Sequence, residues 1–298
     1  YGMPVTNQIK GNDSIGVEGP VIGSDENGNF VIAWQQYFGS GINAESDIFF
    51  QRFDSFGNKI GINKKVNDDS NYRQQNPDLT VQKEGSFIIT WQDNRNLISK
   101  LSDDIYMQTY DKNGNKTGIN KKVNEDTSRI DIQHHPLISC DTSGRLCIVY
   151  NNFNVNANAY DIYCQLYNKD GSKIGNNLFI VTSVEEEFSQ AIAKKDNGDF
   201  VVGYVENLFI ERVQYLLRFT SSGIPIGSKF RVTSQAPFLE KGISDVKIYK
   251  DKIFRVWNDE RNGNFDIWVL CKSLVVCCGI GVFSFLIGNV VPQKHGIS

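Results

Sequence analysis

Asp104-Ile105-Tyr106-Met107-Gln108-Thr109-Tyr110-Asp111-Lys112-Asn113-Gly114 is one copy of a text that the chain repeats. The Asp-Ile-aromatic start returns at Asp47-Ile48-Phe49, Asp161-Ile162-Tyr163 and Asp266-Ile267-Trp268, and Gln51, Gln108 and Gln165 follow in three of the copies. Ile105 and Met107 occupy one face of the run and Tyr106 and Tyr110 the other. A strand apolar on both faces is one covered on both sides. The runs lead into glycine pairs four residues apart, Gly57/Gly61, Gly114/Gly118, Gly171/Gly175 and Gly223/Gly227, followed by Val66, Val123, Ile180 and Val232. A turn and a further strand are expected there.

Upstream of each copy an aromatic closes an apolar run, at Trp34, Trp91, Tyr150, Tyr204 and Trp257, at intervals of 53 to 59 residues. Six positions before it stands a turn residue, Gly28, Gly85, Gly144, Gly198 or Asp251, which marks a hairpin. Fourteen positions before it, in three units, stands Pro20, Pro77 or Pro136, which suits a proline at the first residue of a strand. Helical periodicity is absent. Four short antiparallel strands joined by tight turns and repeated about every 55 residues predict an all-β fold, a β-propeller of five four-stranded blades.

Residues 1–270 are expected to form the propeller and residues 271–298 an apolar tail. Tyr1 to Lys10 align with a fourth strand, Ile9 standing fifty-seven positions before Val66, so the N-terminal strand is expected to complete the C-terminal blade. That arrangement closes an edge that would otherwise be open. Residues 274–291 carry no charge and lie between Lys272 and Lys294. Membrane anchor, packed strand and non-native terminus remain open as readings of this tail.

The texts from Asp104 to Gly114 and from Trp257 to Ile267 resemble repeats of bacterial secreted and cell-surface β-propeller proteins, over nearly all of residues 1–270. The resemblance implies exposure outside the cell and a binding or structural role, and carries no catalytic residues with it. The fourth unit departs from the pattern, with Glu211-Arg212-Val213-Gln214-Tyr215 where the aspartate motif should stand.

With 31 basic against 34 acidic residues the chain lacks the clustered positive charge that nucleic acid requires. Six cysteines without a CxxC pair give neither a zinc site nor a disulfide framework, and are read as incidental thiols. Asp111-Lys112-Asn113-Gly114-Asn115 contains part of a calcium loop but lacks the terminal acidic ligand, so no cofactor is expected.

In this strand order the loops from second to third strand gather on the face where propeller ligands bind. They run over 35–46, 92–103, 151–160, 205–212 and 258–265, and are rich in amides, aspartates and aromatics. Candidate ligand contacts are Gln92, Asp93, Arg95, Asn151, Glu206, Asn258 and Arg261. Asp93/Arg95 recurs as Asp259/Arg261, which favours a turn brace shared by blades. The third-strand aspartates Asp47, Asp104, Asp161 and Asp266 are read as loop-closing acceptors. His134 and His135 break the repeat, as does Glu187 within Glu185-Glu186-Glu187, so blade construction does not explain them. The resulting expectation is a non-catalytic extracellular or cell-surface module for adhesion or scaffolding, binding a carbohydrate or protein. The rival is a propeller glycoside hydrolase, which needs axial carboxylates; Glu187, Glu206 and Glu240 are available but no pair stands out.

Overall fold

The computed structural model describes residues 16–38, 45–68, 73–95, 103–125, 131–156, 158–183, 191–208, 211–232, 243–249, 252–259 and 266–273. They divide into two compact units, residues 1–182 and 183–298. No helix occurs among the described residues, and none there is long and apolar enough to cross a membrane. The alignment of residues 1–10 with a closing strand and the reading of residues 274–291 both fall outside the described residues.

The first unit holds three four-stranded antiparallel sheets, each ordered as the chain runs. The first is β1 (Val17–Ser24), β2 (Phe30–Phe38), β3 (Glu45–Phe53) and β4 (Lys59–Lys65). The second is β5 (Gln74–Val81), β6 (Phe87–Asp93), β7 (Asp104–Tyr110) and β8 (Lys121–Lys122). The third is β9 (Ile132–Cys140), β10 (Leu146–Asn154), β11 (Ala159–Tyr167) and β12 (Lys173–Ser183). In the second unit β13 (Ala191–Lys194), β14 (Phe200–Leu208), β15 (Glu211–Phe219) and β16 (Phe230–Arg231) form a four-stranded sheet. There β17 (Ile243–Tyr249), β18 (Lys252–Asp259) and β19 (Asp266–Ser273) form a three-stranded one.

The second sheet of the first unit packs between the first and the third, so its middle strand is covered on both faces. Every residue of β6 is buried, and Trp34, Trp91, Tyr150 and Tyr204, the aromatics that set the repeat, are all buried. The first residue of a second strand stacks on the last of a third: Phe30 on Phe53, Phe87 on Tyr110 and Phe200 on Phe219, with centroids 4.7 to 4.9 Å apart. Each stack contributes about 1 kcal/mol beyond the area it buries. The repeated glutamines brace the edge: Gln51, Gln108 and Gln165 each donate to the next carbonyl at 2.9 Å and also to a carbonyl of the second turn glycine, Gly61, Gly118 or Gly175.

Lysines latch successive sheets of the first unit. Lys64 donates to the Gly114 carbonyl and Lys121 to that of Gly171, while Lys116 reaches back to Val66 and Lys173 to Val123. Asn120 accepts the Asp68 backbone N–H, and Asn177 accepts that of Glu125, both at 2.8 Å.

Three details differ from the sequence reading. Pro20, Pro77 and Pro136 lie inside their strands, because the residue before each sits at a β-bulge that absorbs the missing N–H. Those residues, Gly19, Asn76 and His135, have φ of +58°, +51° and +51°, a region that glycine, asparagine and histidine tolerate best. Asp47 and Asp104 also hold the fourth strand: they accept Asn67 and Asn124 side-chain amides at 2.7 and 2.8 Å and pair with Lys65 and Lys122. In the second unit Gln214 is fully buried at the position of Ile105, identified by the bond each carbonyl accepts, from Val232 and Val123. Arg255 is likewise buried, donating to the Tyr215 carbonyl at 3.0 Å, and Gly203 leaves the space its guanidinium fills.

Candidate functional site

The three bulges set the first-strand ends of the first unit, and a continuous hydrogen-bond chain runs through two of them. Asp103 stands at the entrance to β7, where its carboxylate accepts the Gln92 side-chain amide at 2.6 Å. Gln92 accepts from the Asn76 side chain at 2.8 Å, and the Asn76 backbone N–H donates to Gln35 at 2.9 Å. The Gln35 amide donates to the Tyr37 hydroxyl at 2.6 Å, which donates to Glu18 at 3.2 Å. The chain thus links two carboxylates, Glu18 and Asp103, through Gln35 and Gln92, each with one donor and one acceptor engaged, and through Asn76, which donates from both its backbone and its side chain. It exists because the αL conformation of Asn76 turns its backbone N–H toward the first sheet.

The ends differ electrostatically. Burial pushes the Asp103 carboxyl above the ordinary aspartate range; Asp93 and Asp104 add to this, while the Gln92 bond and Arg73 oppose it. Tyr37 is also raised, first by burial and then by the charge of Glu18, again opposed by Arg73. Arg73 therefore lies within electrostatic reach of both ends. The acid stays protonated more readily than a free carboxyl, and the phenol beside Glu18 holds its proton more tightly than a free one.

The next sheet adds His134 and His135. The Gln133 backbone N–H donates to the Asp103 carbonyl at 3.0 Å, so the histidines follow directly on the segment that touches Asp103. Because His135 is in the αL region, the two rings meet, with Nδ1 atoms 2.7 Å apart, instead of pointing to opposite faces as strand neighbours do. Tyr160 meets His134 edge to face at 5.7 Å. Burial, with His135 nearby, pushes His134 down to about 4, and His135 is shifted in the same direction, so both rings bind a proton less readily than a free imidazole.

The other candidates have structural surroundings or lie elsewhere. Asp93 is fully buried; it accepts the Trp91 indole N–H at 2.7 Å, the Arg95 backbone N–H at 2.9 Å and two Arg95 side-chain bonds at 3.0 and 2.7 Å. Arg95 also pairs with Asp68 and lies over the Tyr106 ring at 4.2 Å, so the pair is a brace. Asn151 is buried within β10, opposite His134 in register. Glu206 belongs to the second unit, where it receives Lys229 at 2.6 Å and the Tyr204 hydroxyl at 3.3 Å. Asn258, in β18, pairs in register with Ile267 of β19, and Glu187, Glu240 and Arg261 lie outside the described residues. Among the described residues no three histidine, cysteine or acidic side chains group as a metal site.

Sequence reasoning found Gln92 and the histidines but missed Glu18, Gln35, Tyr37, Arg73, Asn76 and Asp103. The proline text and the doublet Asp103-Asp104 were the available signals.

No protein-family model and no curated protein matches the sequence. Solved structures do match in fold. A sialidase described as Hadza microbial superposes with a TM-score of 0.60 at 10% identity, over 93% of this chain and 59% of its own. An ulvan lyase, a polysaccharide lyase, gives 0.60 at 10% identity over 85% of this chain and 66% of its own. An α-L-arabinanase of Penicillium chrysogenum gives 0.55 at 16% identity, over 86% of this chain and 78% of its own. The chain thus spans less than two thirds of the length of the first two. The all-β sheets and these neighbours define the fold class as β-propeller.

The expectation of a non-catalytic binding or scaffolding module is corrected by this comparison. These three neighbours are, by name, a sialidase, a polysaccharide lyase and an arabinanase.

Proposed function

We propose that this protein is a propeller-type glycoside hydrolase acting on a glycan outside the cytoplasm, with its chemistry in the first unit. The observation that carries the reading is the hydrogen-bond chain from Glu18 to Asp103, with a phenol–carboxylate pair at one end and a raised acid at the other. Cleavage of a glycosidic bond needs a proton for the leaving oxygen and a nucleophile, or a base acting on water, at the anomeric carbon. Asp103 is the proton donor. The Tyr37 hydroxyl is the nucleophile, passing its proton to Glu18 as it attacks; water deprotonated by the Asp103 carboxylate then cleaves the glycosyl–tyrosine bond, and Glu18 returns the proton to the phenol, a tyrosine in this role being an established exception to the two-carboxylate scheme.

Arg73, near both ends, offsets negative charge as it develops. His134, which meets Tyr160, and His135 border the site as hydrogen-bonding partners for sugar hydroxyls. The resemblance of the repeats to secreted and cell-surface propellers supports the extracellular setting. Incubation with sialosides, arabinan and uronate-containing polysaccharides, followed by chromatography of the products, tests the reading. New reducing ends that vanish with Asp103→Asn and Tyr37→Phe support it. Unsaturated products would mean a lyase, and cleavage unaffected by both variants would sink the assignment of this site.

A further inference from the structure

We propose that Cys147 and Cys164 form an intrachain disulfide that staples β10 to β11. The two side chains are fully buried, and their Sγ atoms lie 3.0 Å apart. That is inside the van der Waals separation of two sulfurs and about 1 Å longer than a disulfide bond. The register places Cys147 opposite Leu166 and Cys164 opposite Val149, so both thiols stand on one face at diagonal positions. The right-handed twist of an antiparallel pair shortens one of its two diagonals, and the thiols occupy a diagonal along which they already touch. Cys140, in the neighbouring strand β9, is differently engaged: its sulfur receives the Thr80 hydroxyl at 3.1 Å.

The bond forms by exchange with a disulfide oxidant such as glutathione disulfide. One cysteine thiolate attacks the oxidant, forming a mixed disulfide and releasing one glutathione thiolate. The second cysteine thiolate attacks the protein-side sulfur and releases the other. The two protein thiols are oxidised to one S–S bond, the oxidant is reduced to two thiols, and the two protons end on them. Because both sulfurs are buried in the folded sheet, exchange takes place while the chain folds, and the finished bond is shielded from reductant. It closes the segment 148–163, which carries Tyr160, and so fixes the root of the loop beside His134.

The proposal leans on the extracellular setting inferred above for its oxidant, and its test is independent of glycan cleavage. The full chain is refolded in a glutathione buffer poised as in oxidising compartments, denatured in an alkylating reagent and digested without reduction. The expected result is one peptide pair linking Cys147 to Cys164, two hydrogens lighter than the sum of its parts. In the native protein it resists reductant, and in denaturant it is cleaved. The thermal midpoint of the oxidised protein exceeds that of protein folded under reductant by several degrees, a difference absent in a Cys147→Ala/Cys164→Ala variant. Alkylation of both cysteines, or their linkage to other cysteines, overturns the proposal whether or not the protein cleaves glycans.

Discussion

The Gln92 side-chain amide donates to Asp103 across 2.6 Å, and the same Gln92 accepts from Asn76 of the adjacent strand, so the acid is positioned by a residue that another strand holds in place. An amide whose oxygen is already occupied cannot flip to offer it. Gln92 therefore presents only its N–H to Asp103, a partner for either protonation state of the carboxyl.

Asp103→Asn is expected to lower glycan cleavage about 100-fold or more, the usual contribution of a positioned general acid. Stability should move the other way. A carboxyl whose folded pKa is raised costs the folded state stability as pH rises through the window between its unfolded and folded values. Urea midpoints at pH 7 should thus be equal or higher in the variant, and a clear fall would mean that Asp103 is a structural acceptor.

Tyr37→Phe removes the hydroxyl between Gln35 and Glu18 while keeping the ring. The expected outcome is a loss of kcat of at least 100-fold with a stability change below about 1 kcal/mol, since the residue is only half-buried. A fall confined to KM would demote the phenol to a binding group.

Arg95→Ala leaves the Asp93 carboxylate buried without its main counter-charge. Removing one partner of a buried pair costs about 3 kcal/mol or more, measurable as a large fall in the urea midpoint. Unchanged stability would return Arg95 to the pool of ligand contacts.

The five aromatics and the glycine turns were legible in the sequence because blade construction demands them at fixed offsets. Pro77 was legible as a strand signal yet misplaced within it, since a bulge at Asn76 shows only as a register shift between two strands. The site was harder for the same reason. Tyr37 and Glu18 are nineteen residues apart, and Gln35 and Asn76 forty-one, so their bonds depend on pairings that no local text announces. Asp103 looks like a turn residue, and its raised pKa comes from burial, a property of the folded chain. His134 and His135 stood out only by breaking the repeat.

Burial pushes the folded His134 down to about 4, against about 6.5 for the unfolded side chain. A depressed histidine lets the unfolded state bind the proton first, so the contribution is intact above pH 6.5 and is lost as pH falls toward 4. Denaturation midpoints should decline over this window and decline less in His134→Gln. Parallel curves would show that the ring is solvated.

Gly203→Ala would place a Cβ 2.6 Å from a buried Arg255 nitrogen. Overpacking of this kind costs about 1 to 3 kcal/mol, read as a lower thermal midpoint. An unchanged midpoint would show that Arg255 has an alternative position.

The lysine latches have a consequence for how such a chain changes length. Lys64 with Gly114 and Lys121 with Gly171 are each fifty residues apart, as are Lys116 with Val66 and Lys173 with Val123. A unit gained by duplication arrives with its fasteners and their carbonyl sockets already matched, and a unit lost takes its own away. Recombination can therefore lengthen or shorten the array without inventing an interface, while the residues that depart from the repeat keep their individual roles.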